Sequence, residues 1–241
     1  MQLINGDCLE EMKNIPDGSI DMVLADPPYG TTACKWDSII DLDKMWVELK
    51  RLIKPNGAIV MTASQPFTTS LISSNMNMFK YCWVWDKVRG TGFQVAKYRP
   101  MMRTEDVVVF GTGRVNYYPQ MIKRDKVKKS KCYSSSDSNP LKYNDGVERV
   151  YTHKNPVNII VSSNASQKGK LHPTQKTIGL MEYLVKTYTN EGDNVLDFCA
   201  GSFTTGEACL NLNREFIGIE KDKTYFDIGT ERLNRVLNER R

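Results

Sequence analysis

Two adjacent prolines constrain this 241-residue chain more than any other feature. They follow Asp21-Met22-Val23-Leu24-Ala25-Asp26, a short apolar run of strand character, and they precede Tyr29-Gly30. Proline lacks a backbone N–H and fixes φ, so Pro27-Pro28 ends the strand and holds an extended turn. The turn presents a carboxylate, Asp26, and a phenol ring, Tyr29, on a stiff support. In an open α/β sheet, ligands bind beyond the carboxyl ends of the strands, which is where this tetrapeptide falls. A planar nitrogen heterocycle with an exocyclic amino group satisfies such a set. Its ring stacks on Tyr29, while Asp26 and the carbonyl of Pro27 accept the two amino hydrogens. The plain alternative is a tight strand-to-loop turn with an exposed tyrosine.

The rest of the chain alternates short apolar strands with amphipathic helices. Strands are expected at Met1–Cys8 (ending at Gly6-Asp7), Ile20–Ala25, Ala58–Thr62, Lys80–Trp85 and Glu105–Phe110. Leu42, Met45, Trp46, Leu49, Leu52 and Ile53 fall on one face at a 3.6-residue period, which predicts a helix ended by Pro55-Asn56-Gly57. A second helix is expected over Gln65–Met78, with Trp83 and Trp85 in the core. This alternation predicts an α/β fold with a doubly wound, mostly parallel sheet. Asp7 and Asp26 both fall at carboxyl ends of strands and can face one crevice. Asp7 is equally a good N-cap for the helix that begins at Leu9.

Charge is segregated. Residues 114–170 hold 12 Lys and Arg against 4 Asp and Glu, while the remainder holds 21 against 24. All of the excess positive charge therefore lies in one stretch, the footprint of a polyanion-binding insertion on a neutral core. Lys123, Arg124, Lys126, Lys128, Lys129 and Lys131 form its densest part and are the candidate nucleic-acid-binding residues. Interleaved tyrosines suit phosphate contact with added stacking. The Tyr133-Ser134-Ser135-Ser136 run has little capacity to form a core and is expected to order only with a partner. The segment Lys87–Arg99 mixes glycine, basic and aromatic residues and suits a loop against a phosphate backbone. The segment Thr31–Ser38 follows the turn and is placed to close over a substrate.

Six scattered cysteines without a C-x-x-C pair favour reduced thiols in a cytoplasmic setting, and two histidines argue against a His-based metal site. No apolar run approaches a membrane span, and no signal peptide is expected.

A second anchor lies near the other end of the chain. Asn194-Val195-Leu196-Asp197 reads as a strand, Gly201-Ser202-Phe203-Thr204-Thr205-Gly206 as a small-residue turn into a helix, and Arg214–Glu220 as the next strand. Glu220 stands 23 residues after Asp197 at the end of that strand. An acid so placed in a βαβ unit binds ribose hydroxyls of a nucleoside cofactor. Closing helices are expected over Ile178–Tyr188, with Thr177 as N-cap, and over Asp222–Leu237.

Asp26-Pro27-Pro28-Tyr29 after a strand, together with His172-Pro173-Thr174-Gln175-Lys176 after a basic insert, resembles the β group of DNA amino-methyltransferases. The resemblance covers nearly the whole chain. It implies a Rossmann-like fold of permuted order in three parts: a catalytic half at 1–113, a basic target-recognition insertion at 114–170 and a cofactor-binding half at 171–241. It implies transfer of a methyl group from S-adenosylmethionine to adenine N6 in a flipped-out base of double-stranded DNA. Asp26, Pro27, Pro28 and Tyr29 would be catalytic. Asp7, Cys8, Asp197, Gly201, Ser202, Thr204, Thr205 and Glu220 would bind the cofactor, with Thr174 and Lys176 near its methionine end and no metal involved. The expected setting is a bacterial or phage-encoded cytoplasmic protein, with a restriction-modification or solitary role, and a homodimer stays open.

One position departs from the family. The cofactor turn usually reads Asp-Pro-Phe-x-Gly-Ser-Gly-Thr-Thr. Here Phe198 and Cys199 replace Pro and Phe, and Phe203 replaces the second glycine. Either the Phe203 ring fills the cofactor's volume, or it points away and Gly201 supplies the close approach. The first case makes the chain a catalytically silent DNA-binding relative. N4-cytosine transfer is the other alternative.

Overall fold

The computed structural model describes residues 1–31, 38–131, 147–164 and 175–240. Thr174, the Tyr133–Ser136 run and most of the Thr31–Ser38 segment lie outside the described residues. In chain order the elements are β1 (Gln2–Asn5), α1 (Cys8–Glu11), β2 (Ile20–Ala25), α2 (Leu42–Leu52), β3 (Ile53–Ala63), α3 (Phe67–Ser74), β4 (Phe79–Thr91) and β5 (Met102–Phe110). There follow β6 (Ile122–Lys131), β7 (Glu148–Lys154), β8 (Ile159–Val161), α4 (Ile178–Tyr188), β9 (Asn194–Asp197), α5 (Thr204–Asn211), β10 (Glu215–Glu220) and α6 (Lys223–Glu239). No described helix is long and apolar enough to cross a membrane.

The chain forms two compact units. The larger holds residues 1–118 and 158–241, and the smaller holds 119–157. The larger unit is built on an eight-stranded sheet of order β1-β10-β9-β2-β3-β5-β4-β8. Its pairs are parallel except where β5 runs antiparallel to both β3 and β4.

The sheet is covered on both faces, and the strands show why. In β2, Val23 and Ala25 join one buried cluster with Met45, Trp46 and Leu49 of α2 and Phe67 of α3. Met22 and Leu24 join the other, with Leu180 and Leu184 of α4 and Ala208 of α5. β3 repeats the alternation, with Ile59 and Met61 on the first side and Ala58 and Val60 on the second. A period of two in strands buried on both sides is what a doubly wound sheet requires. Trp83 and Trp85 are both buried, as their aromatic strand predicts.

Several boundaries differ from the sequence expectation. The second helix is shorter, Phe67–Ser74, because Gln65-Pro66 precedes it and Asn75 ends it. Pro55-Asn56-Gly57 does not cap α2, which ends at Leu52. It forms a bulge inside β3, where the register to β2 slips between Ile20↔Ile53 and Met22↔Ala58 and Asn56 takes φ 64°. Gly57 is required there, since a Cβ would lie 2.9 Å from the Asp21 carbonyl oxygen. The segment expected as a loop from Lys87 instead begins as ladder, because β4 continues to Thr91 and pairs there with Met102.

The smaller unit contains strands that the sequence did not announce. β6 and β7 form an antiparallel two-stranded ladder, from Ile122↔Lys154 to Lys131↔Glu148, with a bulge between Lys123 and Lys128. Lys123, Arg124, Lys126, Lys128, Lys129 and Lys131 all lie on β6. The Arg124 guanidinium donates to the His153 carbonyl across the ladder at 3.1 Å. The compact unit is narrower than the compositional stretch. Arg114–Tyr118 and the short strand β8 pack with the large sheet instead.

Candidate active site

The strand order sets the location. From β2 the chain proceeds to β3 on one side, and from β9 to β10 on the other, while β2 and β9 are parallel neighbours. Their carboxyl ends therefore flank a topological switch point, where an α/β sheet opens a crevice. Asp26 follows β2 and Asp197 ends β9. β1 and β10, parallel to β9 on the outer side, bring Asp7 and Glu220 to the same edge. A cleft of about 1000 Å³ opens there, and Asp7, Asp26, Tyr29, Lys176, Asp197 and Glu220 all line it. Cys8, Pro27, Pro28, Gly201, Ser202, Thr204 and Thr205 line it too.

On the β2 side, Asp26, Pro27, Pro28 and Tyr29 leave the ladder in extended form, and Gly30 turns the chain at φ 67°. A side chain at Gly30 would also strike Ile39, 2.9 Å from its Cβ position. The Tyr29 hydroxyl donates to Asp26 Oδ1 at 2.8 Å, and its ring stacks on Phe67 of α3 with centroids 5.3 Å apart. The Thr62 hydroxyl of β3 donates to the same Asp26 oxygen. Lys176 Nζ lies 2.9 Å from Asp26 Oδ1, 3.3 Å from Glu105 Oε2 of β5 and 5.4 Å from the Tyr29 ring centre. Lys87 of β4 holds the other Glu105 oxygen at 3.0 Å. The result is a row of alternating charge, Asp26–Lys176–Glu105–Lys87, with both lysines buried.

Burial works against the Lys176 charge. The Asp26 and Glu105 carboxylates more than offset it and hold the ammonium well above its ordinary range. Burial raises the Tyr29 phenol well above its usual value, and the neighbouring Asp26 carboxylate adds to the effect. Tyr29 is therefore a neutral ring and hydrogen-bond donor at any ordinary pH. Sequence reasoning placed Lys176 near the cofactor; the fold brings it to the Asp26 side of the cleft. Phe67, Thr62, Glu105 and Lys87 carry no local motif and were not anticipated. Their one sequence signal is charge at the edge of apolar or aromatic strands, Glu105 before Val107-Val108-Val109 and Lys87 after Trp83-Val84-Trp85.

On the β9 side, Asp197 is buried and accepts from the Thr205 hydroxyl at 2.6 Å and the Cys199 N–H at 3.1 Å. Burial pushes its carboxyl up to about 7, against those two donors. Glu220 accepts from the Gly201 N–H and the Asp222 N–H, one on each oxygen, both at 2.8 Å. Burial again raises its carboxyl above the usual range. Two acids held partly against their own charge are suited to a cationic ligand bearing hydroxyl groups. Asp7 meets both expectations at once. It caps α1 by accepting from the Leu9 N–H at 3.0 Å, and it lines the cleft with Lys221 3.1 Å away. Cys8 begins α1, and its thiol meets that of Cys199.

Arg232 of α6 fixes the turn after β9 from behind. Its Nη1 donates to the Ser202 carbonyl at 3.1 Å and to Thr204 Oγ1 at 2.9 Å, while its Nε pairs with Glu207. Ser202 Oγ reaches Gln175 at 3.3 Å.

Phe203 answers the question raised by the sequence. It caps α5 at φ 55° and ψ 38°, the left-handed region its usual glycine favours. Its ring points away from the cleft and is 0% exposed, between Phe216 and Phe226 at 6.1 and 5.8 Å. The left-handed backbone costs about 1–2 kcal/mol in a non-glycine residue. Burying a phenylalanine contributes about 1.5–3 kcal/mol, enough to offset it. Two glycines make room: a Cβ on Gly229 would sit 2.4 Å from the Phe203 ring and one on Gly218 2.9 Å from it. The β9 side of the cleft is thus not filled by the Phe203 ring.

Comparison with known proteins agrees with this geometry. The N6/N4 DNA methylase family model matches residues 20–231. DNA adenine methyltransferase YhdJ of Escherichia coli (strain K12) is 31% identical over 96% of this chain and 82% of its own length. Type II methyltransferase M.HpaI of Haemophilus parainfluenzae is 29% identical over 98% of this chain and 75% of its own. Among solved structures, the M1.HpyAVI–SAM complex superposes with a TM-score of 0.66 at 26% identity, covering 96% of this chain and 99% of that one. A family match spanning both the Asp26 turn and the Asp197–Glu220 unit, on a sheet whose switch point brings the two together, leaves one assignment: the chain belongs to the N6/N4 DNA methylase family.

Proposed function

We propose that the protein methylates the exocyclic N6 amino group of adenine in double-stranded DNA, using S-adenosylmethionine. The observation that carries this reading is the position of Asp26-Pro27-Pro28-Tyr29 across one cleft from Asp197 and Glu220. One wall offers an acceptor and an aromatic ring for a base. The other offers carboxyls for a cationic nucleoside. S-adenosylmethionine supplies an activated methyl group on a positively charged sulfur.

The residues present suit that cofactor. Glu220 uses one lone pair on each oxygen for backbone N–H groups and keeps others for ribose hydroxyls. Gly201, at φ 51°, gives the backbone its close approach. The Phe203 ring takes none of the cleft.

On the base side, the contacts to Asp26 among the described residues all fall on Oδ1. Asp26 Oδ2 is the acceptor assigned to the amino group, with the Pro27 carbonyl as its companion. A base inside a duplex cannot reach such a cleft, so it flips out, at a cost of about a few kcal/mol. Asp26 then directs the amino lone pair at the methyl group, and Lys176 compensates the charge of Asp26. Positioning does most of the work: the positive charge would pass from sulfur to the amino nitrogen with the methyl group, and the nitrogen would then lose a proton to solvent, leaving a neutral thioether and a neutral methylated amine. The basic β6–β7 ribbon is the candidate DNA contact, because a two-stranded ribbon fits a major groove.

Adenine is favoured over cytosine by the aspartate at the first motif position and by the likeness to YhdJ, itself a DNA adenine methyltransferase. Nucleoside analysis of DNA treated with the protein and S-adenosylmethionine tests the proposal. N6-methyladenine is the expected product, and N4-methylcytosine would overturn the choice of base.

A further inference from the structure

The β4–β5 pair extends past the sheet as an arm, and its end carries a feature the methyl-transfer chemistry does not use. The last rung of the ladder is Thr91↔Met102, and both residues line the cleft. Beyond that rung Gly92, at φ 87°, starts a 3-10 turn over Phe93–Val95. The turn is hydrogen-bonded from the Val95 N–H to Gly92 and from the Ala96 N–H to Phe93, and a further turn links the Tyr98 N–H to Val95.

Phe93 is 79% exposed and Tyr98 is 82% exposed. A single exposed aromatic residue on a protein surface needs no explanation. Here two stand on one ordered tip beside the mouth of the candidate active site. Arg89, Lys97, Arg99 and Arg103 flank them along the chain, and residues 88–104 contain no acidic residue. Among the described residues, Arg103 alone of these four is engaged by a carboxylate, pairing with Asp86 at 2.7 Å. Tyr98 has a partner, since Lys97 Nζ lies 5.9 Å from its ring centre. Phe93 packs against no other ring among the described residues. An apolar ring held out on a hydrogen-bonded turn, in a segment with basic residues and no acidic ones, is the combination that enters a base stack while cations hold the phosphates.

We infer that Phe93 is a wedge: it occupies the gap left in the duplex when the target base enters the cleft, while Arg89, Lys97 and Arg99 hold the flanking phosphates. The inference rests on the DNA-methylation reading above and adds to it the element that keeps the base out of the stack. Phe93 touches no reacting atom and acts as a positioning residue.

The test uses the full chain. Plasmid DNA from cells expressing the protein is sequenced for modified bases to locate the target. Short duplexes carrying that target are then methylated in single-turnover reactions by the wild-type protein and by Phe93→Ala and Phe93→Trp variants. A parallel duplex has an abasic site opposite the target, which makes unstacking cheap. On the paired duplex, Phe93→Ala should be slower by on the order of tenfold to a hundredfold, since flipping costs a few kcal/mol. On the abasic-opposed duplex it should approach the wild-type rate, and Phe93→Trp should retain activity on both. A Phe93→Ala variant equal to wild type on paired DNA, or equally slow on both duplexes, overturns the wedge. Absence of any modified base overturns the methylation reading and the wedge with it.

Discussion

Lys176 Nζ lies 2.9 Å from Asp26 Oδ1, although the two residues are 150 positions apart in the sequence. Lys176 immediately precedes the N-cap of α4, and Asp26 follows β2. Their meeting joins the half of the fold that would hold the base to the half that would hold the cofactor. Lys176 also faces Glu105, so one buried cation serves two carboxylates.

That arrangement predicts a non-additive stability cycle. Lys176→Met leaves two carboxylates facing each other in a poorly solvated site, and breaking a buried pair costs about 3–5 kcal/mol. Replacing Asp26 by Asn in the same chain removes the stranded charge, since Glu105 keeps its pair with Lys87. The double variant should therefore unfold at higher denaturant than Lys176→Met alone. Strict additivity of the two single changes would show that the residues are not coupled.

Asp26 should matter for transfer and little for cofactor binding. Asp26→Ala is expected to lower single-turnover methylation at least about a hundredfold, the scale of losing one preorganised polar contact to the reacting group. S-adenosylmethionine affinity, measured by calorimetry, should change by less than about tenfold, within 1.4 kcal/mol. Full activity in this variant would remove Asp26 from the mechanism.

Phe203 gives a prediction that runs against its family pattern. Phe203→Gly restores the usual residue but deletes a buried ring. Ring loss costs about 3–5 kcal/mol, and relief of the left-handed backbone returns about 1–2 kcal/mol. The variant should be less stable and should bind S-adenosylmethionine no more tightly. Gly229→Ala should also destabilise, by about 1–3 kcal/mol from overpacking against the Phe203 ring. Tighter cofactor binding by Phe203→Gly would mean that the ring does intrude on the cleft.

Asp197 makes stability depend on pH in a stated direction. Its folded carboxyl titrates near 7, against an ordinary value of 3.8, because burial disfavours the charge. Between those values the folded state holds the extra proton. The contribution is therefore fully present below the ordinary value and is lost as pH rises through about 7. Asp197→Asn cannot ionise. The difference between wild-type and variant unfolding midpoints should shift against the wild type from about pH 5 to about pH 8. A pH-independent difference would contradict the raised carboxyl.

What the sequence made legible follows from how local each signal is. The Asp26–Tyr29 turn announces itself by two prolines after an apolar strand. The caps Asp7 and Thr177 hydrogen-bond within their own turns, to Leu9 and to Leu180. Glu220 was found because the βαβ unit fixes its spacing from Asp197. Glu105 and Lys87 were not found, because their pairing depends on the register between β4 and β5. The direction of the Phe203 ring depended on two glycines, Gly218 and Gly229, 15 and 26 residues further on. The β6–β7 ribbon was missed because Ile122–Lys131 has no apolar alternation and both its faces are largely exposed. Its order comes from pairing with β7, which lies beyond the Tyr133–Ser136 run.

The most direct test of the central claim is the identity of the methylated nucleoside. Unmethylated DNA of varied sequence is incubated with the purified protein and S-adenosylmethionine, digested and analysed by mass spectrometry. N6-methyladenine formed by the wild-type chain and absent with Asp26→Ala is the predicted result. No methylated nucleoside from the wild-type chain, despite measurable S-adenosylmethionine binding, would contradict it.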